Sequence, residues 1–341
     1  RPGMAEMEKV ECAAADGEER MTPVTVTLLS GFLGAGKTTL LNSILQTEHG
    51  MRIAVIENEF AEADIDRQII GDRASQITTL ANGCICCSRA SELESTLLEL
   101  LDSRQSGLLN FDRLIIESTG MADPGPVIRT FFSHPRLAEE YQLDGVITLV
   151  DAVHAAQQLD NYSVAQSQIG YADRLLLSKT DIAPDTAALT ERLQRINARA
   201  PIVRVVNGDT DIHSLFDLRG FMLEPATAPV VQYRFVPDTP DRVRSLTLTL
   251  DYPLELDALS AVMESLLLRF ADNLLRYKGM LWVGGETHRL LFQGVQRLYS
   301  SGWDRAWQHD EIPASTLIFI GVDLPEQEIR QAFEALRPDN L

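Results

Sequence analysis

The sequence predicts an α/β chain in two parts: a mostly parallel sheet flanked by helices, followed by a smaller α+β domain. Three observations predict it. Short apolar, β-branched runs alternate with leucines at helical spacing through the first two thirds of the chain. A glycine-rich turn joins the first of these runs to the first helical pattern. A proline-dense stretch with Pro225, Pro229, Pro237 and Pro240 then gives way to a pattern of strand, helix, strands and helix. The 341 residues suit two domains at about 100–200 residues each.

The elements follow in order. Residues 1–20 are small, acidic and without periodicity, and Met21 offers a second start. They are expected to be a disordered leader or expression remnant and are set aside from the fold. Val24–Leu29 is apolar and β-branched, which predicts a buried strand. Lys37 to about Leu45 predicts a helix, Arg52–Ile56 a strand and Leu93–Leu101 a helix. Arg113–Ile116, Gly145–Val150 and Arg174–Leu177 are further strands, each ending at a polar or charged residue, and Pro201–Val206 is the last of this set. Ligands in parallel sheets bind at the carboxyl ends of strands, so function is expected just after each run. The expected division is a first domain over 21–225, a linker over 226–240 and a C-terminal domain over 241–341. In the last, Val243–Leu250, Met280–Val283, His288–Gln293 and Thr316–Val322 predict strands, with helices over Leu256–Leu275 and Glu326–Leu336. A ferredoxin-like arrangement is one solution to that order.

Composition narrows the function. Hydrophobic residues at 45% and charged residues at 23% exclude a disordered, collagenous or coiled-coil chain. Acidic residues outnumber basic ones by 49 to 30, for a formal charge of -19, and the excess is spread along the whole chain. This argues against a nucleic-acid partner and against an anionic membrane surface. No apolar run approaches the roughly 18 residues of a spanning helix, and no export signal is visible, so a cytoplasmic location is expected. Four cysteines are too few for a disulfide framework at this length and are expected to be reduced.

Gly31-Phe-Leu-Gly34-Ala35-Gly36-Lys37-Thr38 fills every fixed position of a phosphate-binding loop, between a predicted strand and a predicted helix. Gly34 and Gly36 let the backbone curl so that N–H groups face the phosphates. Lys37 is expected to reach the β- and γ-phosphates, Thr38 to ligate Mg²⁺, and Ala35 and Thr39 to complete the nucleotide-binding run. The fold class is thus a P-loop NTPase. Ser178-Lys179-Thr-Asp181 has the layout of the guanine-reading Asn-Lys-x-Asp element. A carboxylate at Asp181 can accept from both donors on the guanine edge, so GTP is expected over ATP. Ser178 lacks the amide that braces this loop, which predicts weaker affinity. Glu117-Ser-Thr-Gly120 ends a strand where GTPases carry Asp-x-x-Gly: Gly120 N–H would approach the γ-phosphate and Glu117 would hold Mg²⁺ through water. Asp151, at another strand end, reads as a helix cap in preference to a site carboxylate.

Gly83-Cys84-Ile-Cys86-Cys87 packs three cysteines into four positions. Thiolates select Zn²⁺, Cu(I) or iron–sulfur clusters. Adjacent cysteines point apart, so two thiolates with distant ligands are expected, which makes a labile site. A strained disulfide used in redox chemistry and plain buried packing are the alternatives. The missing ligands are expected among Glu57, Glu59 and Glu62, after the Ile53–Ile56 strand. The six histidines are isolated in sequence; His134 follows the Glu117 element closely enough to join a site.

These motifs in this order resemble the CobW-type metallochaperone GTPases of the SIMIBI class. The likeness runs from Met21 to the end of the chain, and Leu275-Arg-Tyr-Lys-Gly279 and Leu291-Phe-Gln-Gly294 look like the C-terminal domain of that family. The resemblance implies a slow GTPase with GTP/GDP and Mg²⁺ that binds Zn²⁺, or in some members Co²⁺ or Ni²⁺. It implies Cys86, Cys87 and Glu57 as zinc ligands, with Cys84 and Glu62 in support, and a client metalloprotein as recipient. A homodimer formed with GTP or metal is compatible with it. Two departures stand out: Ala61 replaces the usual glycine, and the leader has no counterpart. A thiol-based redox nucleotide switch and a P-loop kinase or ligase acting on a small molecule are the competing classes.

Overall fold

β1 (Val24–Gly31) is buried at every position but one, which is the signature of a central strand covered on both faces. The computed structural model describes residues 21–47, 50–58, 76–79, 85–88, 93–223 and 241–339. The leader, the expected linker, Cys84, Glu59, Ala61 and Glu62 lie outside these residues. Around β1 run β2 (Ile53–Asn58), β3 (Gln76–Thr79), β4 (Ile85–Ser88), β5 (Arg113–Ser118), β6 (Tyr141–Asp151), β7 (Arg174–Ser178) and β8 (Ile202–Val205). Their order across the sheet is β3-β4-β2-β5-β1-β6-β7-β8. All neighbouring pairs are parallel except β3–β4 at the edge.

Alternate residues of each strand feed two apolar layers, as a period of two requires. Val26 and Leu28 pack with α2 (Leu93–Gln105), α3 (Pro124–Ser133) and α6 (Ser163–Tyr171). Leu29 packs on the other face with Leu40, Leu41 and Ile44 of α1 (Lys37–Gln46). Three further α-helices of this unit lie among the described residues: α4 (Pro135–Glu140), α5 (Ala155–Asn161) and α7 (Ala187–Ile196). Pro at the first helical position starts both α3 and α4, where its missing N–H costs nothing.

The second sheet holds β9 (Val243–Leu250), β10 (Leu274–Leu281), β11 (His288–Val295), β12 (Leu298–Ala306) and β13 (Ser315–Val322), in the order β12-β11-β10-β13-β9. β13 lies between β9 and β10, antiparallel to both, so α8 (Leu256–Phe270) makes a split β-α-β crossover. That unit is shared with ferredoxin-like folds, but here α9 (Glu326–Glu334) follows the last strand and the β10–β12 meander adds a fifth. α8 stops at Phe270, short of the expected Leu275, because Leu274 and Leu275 belong to β10 and are buried in the sheet. One face of this sheet packs on Leu259, Met263, Ile329 and Phe333 of α8 and α9. On the other, Val243, Leu275, Ile318 and Ile320 join the first unit's core beside Ile169 of α6.

Candidate nucleotide and metal site

The C-terminal ends of β1, β5, β6 and β7 converge around the glycine-rich turn. A Cβ at Gly31 would lie 2.7 Å from the Leu149 carbonyl oxygen, so β1 and β6 meet there at backbone distance. Gly34 and Gly36 have φ of 75° and 108°, which L side chains rarely adopt, and Gly36 leads directly into α1. Lys37, the first residue of α1, is buried; its Nζ donates to the carbonyls of Gly31 at 2.6 Å and Phe32 at 3.1 Å. Burial pulls its pKa down, and the Glu117 charge pulls the other way. Thr38 Oγ1 donates to Glu117 Oε1 at 3.0 Å, joining the two residues expected at Mg²⁺. Ala35 is buried behind the loop and Thr39 is exposed beside Thr38. This pair of hard oxygen donors at the open end of a phosphate loop fits a divalent cation.

Glu117 is raised above the usual carboxylate range, first by burial and also by the charge of Glu57, against the Thr38 hydrogen bond. The register explains the second effect: Glu57 on β2 is directly opposite Glu117 on β5. Three residues on, Gly120 is pressed onto the loop, and a Cβ there would sit 2.5 Å from the Leu33 nitrogen. The Gly120 and Ala122 carbonyls accept hydrogen bonds from Gln168 Nε2 of α6, at 3.2 and 3.1 Å. Sequence reasoning missed Gln168, because a glutamine inside a helix carries no motif.

At the end of β7, Ser178 Oγ lies 2.7 Å from the Ala35 carbonyl oxygen and 3.2 Å from that of Val150. This corrects the expectation that serine leaves the loop unbraced: the hydroxyl donates to the phosphate loop itself. Lys179 has a positive φ of 58°, and its Nζ lies 2.7 Å from Asp151 Oδ2. Asp151 is buried, and its carboxylate also accepts from Val153 N and faces His154 Nδ1 at 2.9 Å. Burial works against its charge, yet the Lys179 and His154 bonds hold it below the usual range. It is not the helix cap expected from the sequence, since His154 holds the N-cap position of α5; Asp151 braces the turn before that helix and anchors Lys179. Asp181 is exposed in the same loop.

Of the expected metal ligands, Glu57 is the penultimate residue of β2 and is exposed. β4 runs alongside, with Cys86 paired in register with Val55 and Cys87 with Ile56, so the Cys86-Cys87 backbone lies one strand from the Glu57 edge. Among the described residues no group of three or more His, Cys, Asp or Glu side chains could hold a metal ion. His134 does not join the site; its Nδ1 accepts from Arg136 N and caps α4.

Residues 25–204 match the family model of the CobW/HypB/UreG nucleotide-binding domain, and residues 243–337 match that of the cobalamin synthesis protein CobW C-terminal domain. Over 320 residues the chain is 60% identical to the zinc chaperone YjiA of Escherichia coli, covering 93% of this chain and 100% of that one. It is 36% identical over 216 residues to the zinc-regulated GTPase metalloprotein activator 1 of Schizosaccharomyces pombe, covering 60% of this chain and 52% of that one. The crystal structure of Zn(II)-bound YjiA GTPase from E. coli matches with a TM-score of 0.85 at 60% identity, over 93% of this chain and 100% of that one. A Zn(II)-bound YjiA triple mutant, with one glutamate and two cysteines changed to alanine, matches with a TM-score of 0.85 at 59% identity, over the same shares of the two chains.

Proposed function

The chain belongs to the CobW family of nucleotide-binding proteins, and on that premise we propose that it is a zinc-binding GTPase that hydrolyses GTP and couples the step to transfer of zinc to a client metalloprotein. The observation that carries this reading is the register of Glu57 opposite Glu117. The strand end bearing the candidate zinc carboxylate lies beside the one whose carboxylate is bonded to Thr38. Two carboxylates on neighbouring strands repel, so a cation at either relieves the other.

In the nucleotide site, Lys37 leaves the Gly31 and Phe32 carbonyls for the β- and γ-phosphates, exchanging dipoles for charges. Asp181 accepts from the guanine edge while Asp151 holds Lys179 in place. Magnesium, when bound at the Thr38 and Glu117 oxygens, supplies neutralisation of the phosphate charge. The oxygen of an attacking water forms a bond to the γ-phosphorus as the bond to the β–γ bridging oxygen breaks. GDP leaves, and the water proton passes to the released phosphate. Gly120 N–H stabilises the charge on the transferring group. Zinc is the cargo; soft thiolates at Cys86 and Cys87 with the harder Glu57 carboxylate suit a site that binds and releases it. YjiA with a glutamate and two cysteines replaced is still Zn(II)-bound in its crystal. Zinc occupancy alone therefore does not test the site, and affinity must be measured.

The experiment is chelator competition for zinc on reduced protein with GDP and with a non-hydrolysable GTP analogue. The expected result is a nucleotide-dependent affinity in the native protein that is lost in Cys86→Ala/Cys87→Ala and in Glu57→Ala. Linkage then requires zinc to change the ratio of analogue to GDP affinity by the same factor. Equal zinc affinities in both nucleotide states would overturn the coupling.

A further inference from the structure

α6 touches the nucleotide site and the C-terminal domain within four residues. Gln168, almost fully buried at 1% exposure, donates to the Gly120 and Ala122 carbonyls, and its own carbonyl accepts from Thr148 Oγ1 of β6. Gly170 lies against the second sheet so closely that a Cβ would be 2.8 Å from Leu275 Cδ1 and 2.9 Å from Val243 Cγ1. The Tyr171 carbonyl accepts from Arg276 Nη1 of β10 at 2.8 Å. Its hydroxyl abuts Gly125 in the first turn of α3 and accepts from Gln296 Nε2 at 3.1 Å.

Gln296 forms the β11–β12 turn. It has a positive φ of 51°, its N–H donates to Leu274, and its carbonyl accepts from Tyr277 OH. Its side-chain oxygen accepts from Arg129 Nη1 on α3. One side chain thus joins α3, α6 and the turn of the second sheet. α3 begins at Pro124, four residues after Gly120, so the Gly120 turn leads directly into the helix that Gln296 holds. A groove of about 560 Å³ opens between α3 and the turn, bordered by Arg129, Phe132, Val295 and Leu298.

A second observation concerns the strand ends beside the Gly120 segment. The Ser30 and Ser118 hydroxyls are buried and have no hydrogen-bond partner among the described residues. Leu29 and Glu117 pair in register, so these serines are neighbours at the ends of β1 and β5. Alternation puts them in the layer of Leu28 and Ile116, the layer that α6 covers. Buried hydroxyls are rarely left unpaired, and here they adjoin the Ser118–Gly120 turn.

We propose that Gln168 is a positioning residue for the Gly120 peptide, and that Gln296 passes its setting through α3 to the β11–β12 turn, so that a γ-phosphate changes the C-terminal domain. This rests on the GTPase reading above. Gly120 N–H, drawn to the γ-phosphate, shifts the backbone that Gln168 pins; GDP makes no such demand. The C-terminal domain then presents a different groove in the two nucleotide states, which is the change a client could read.

The test is hydrogen exchange of peptides spanning residues 290–300 in the full chain, with GDP and with a saturating non-hydrolysable GTP analogue. The native protein should show different exchange in the two states. Gln296→Asn keeps a residue tolerant of positive φ but shortens the side chain. It should abolish the difference while leaving GDP affinity unchanged. Gln168→Met should weaken the analogue by about tenfold or more, the scale of a lost buried hydrogen bond, with GDP affinity unchanged. Equal exchange at 290–300 in the native protein with analogue demonstrably bound would overturn the relay. So would a Gln168→Met that weakens GDP and analogue alike. Failure of the native protein to bind the analogue at all would instead sink the GTPase reading beneath it.

Discussion

Lys37 donates to two backbone carbonyl oxygens of its own loop, and burial lowers its pKa. Lys37→Ala should weaken GDP and GTP binding by at least about a hundredfold, the scale of a charge-assisted contact to phosphate. Equilibrium titration with a fluorescent nucleotide reads it, and retained affinity would remove the phosphate-loop assignment. Ser178→Ala leaves the Ala35 carbonyl without its hydroxyl donor. It should cost about 1–3 kcal/mol, seen as weaker nucleotide binding with the fold retained. The identity of Ser178 was legible in the sequence, but its bond was not. A serine in an asparagine position reads as a loss until the 2.7 Å approach to Ala35 is seen.

At the scale of elements, two motifs read from the sequence acquire a reason. Gly279 is paired with Phe292 across β10 and β11, and Gly294 with Tyr277. In each pair the ring lies over the glycine: a Cβ at Gly279 would be 1.9 Å from Phe292 Cε1, and one at Gly294 would be 2.0 Å from Tyr277 Cζ. Aromatic cover of a strand glycine pins register. Gly279→Ala should therefore displace the fully buried Phe292 and cost about 1–3 kcal/mol by overpacking. A lower denaturation midpoint with unchanged GDP affinity is the expected outcome. β12 escaped sequence reasoning because Leu298–Ala306 is largely exposed and carries no apolar alternation. The helix expected to Leu275 overran because Leu274 and Leu275 continue a leucine pattern whose meaning changes at the turn after Phe270.

At the scale of the whole molecule, a buried ion cluster helps to join the two units. Arg276 of β10 makes a two-point contact with Asp173, at 2.9 and 3.1 Å, and also donates to the Tyr171 and Gly220 carbonyls. Arg199 bonds the same carboxylate. Burial opposes the charge of Asp173, but the two guanidinium groups hold it below the usual carboxylate range. Burial and the neighbouring Arg276 charge push Arg199 down to about 10 against the pull of Asp173. Two cations share one anion, so the carboxylate is the member that cannot be spared. Asp173→Asn should cost roughly 3–5 kcal/mol, because it strands two guanidinium groups at the domain junction. The sign with pH follows from the lowered value. The carboxylate's contribution is complete above the unfolded aspartate pKa of about 4 and fades as pH falls below it toward the folded value. Chemical denaturation of the native protein and Asp173→Asn across pH 3–6 checks this: the gap between them should narrow on the acid side.

Sequence alone showed the phosphate loop and six of the eight strands described in the first sheet; β3 and β4 carry no long apolar run and were not read from it. A phosphate loop needs particular residues at fixed spacing along a short stretch of backbone, and buried parallel strands need continuous apolar runs, so both are local properties. Tertiary structure decided the rest. The pairing of Glu57 with Glu117, the seat of Cys86 and Cys87 beside β2, the Gln168 bonds to Gly120 and the Arg276–Asp173 junction all join residues far apart in the chain. Such contacts depend on strand order and on which helix face meets which sheet. Those are settled by burial of the whole apolar surface at once, and no window of sequence contains them.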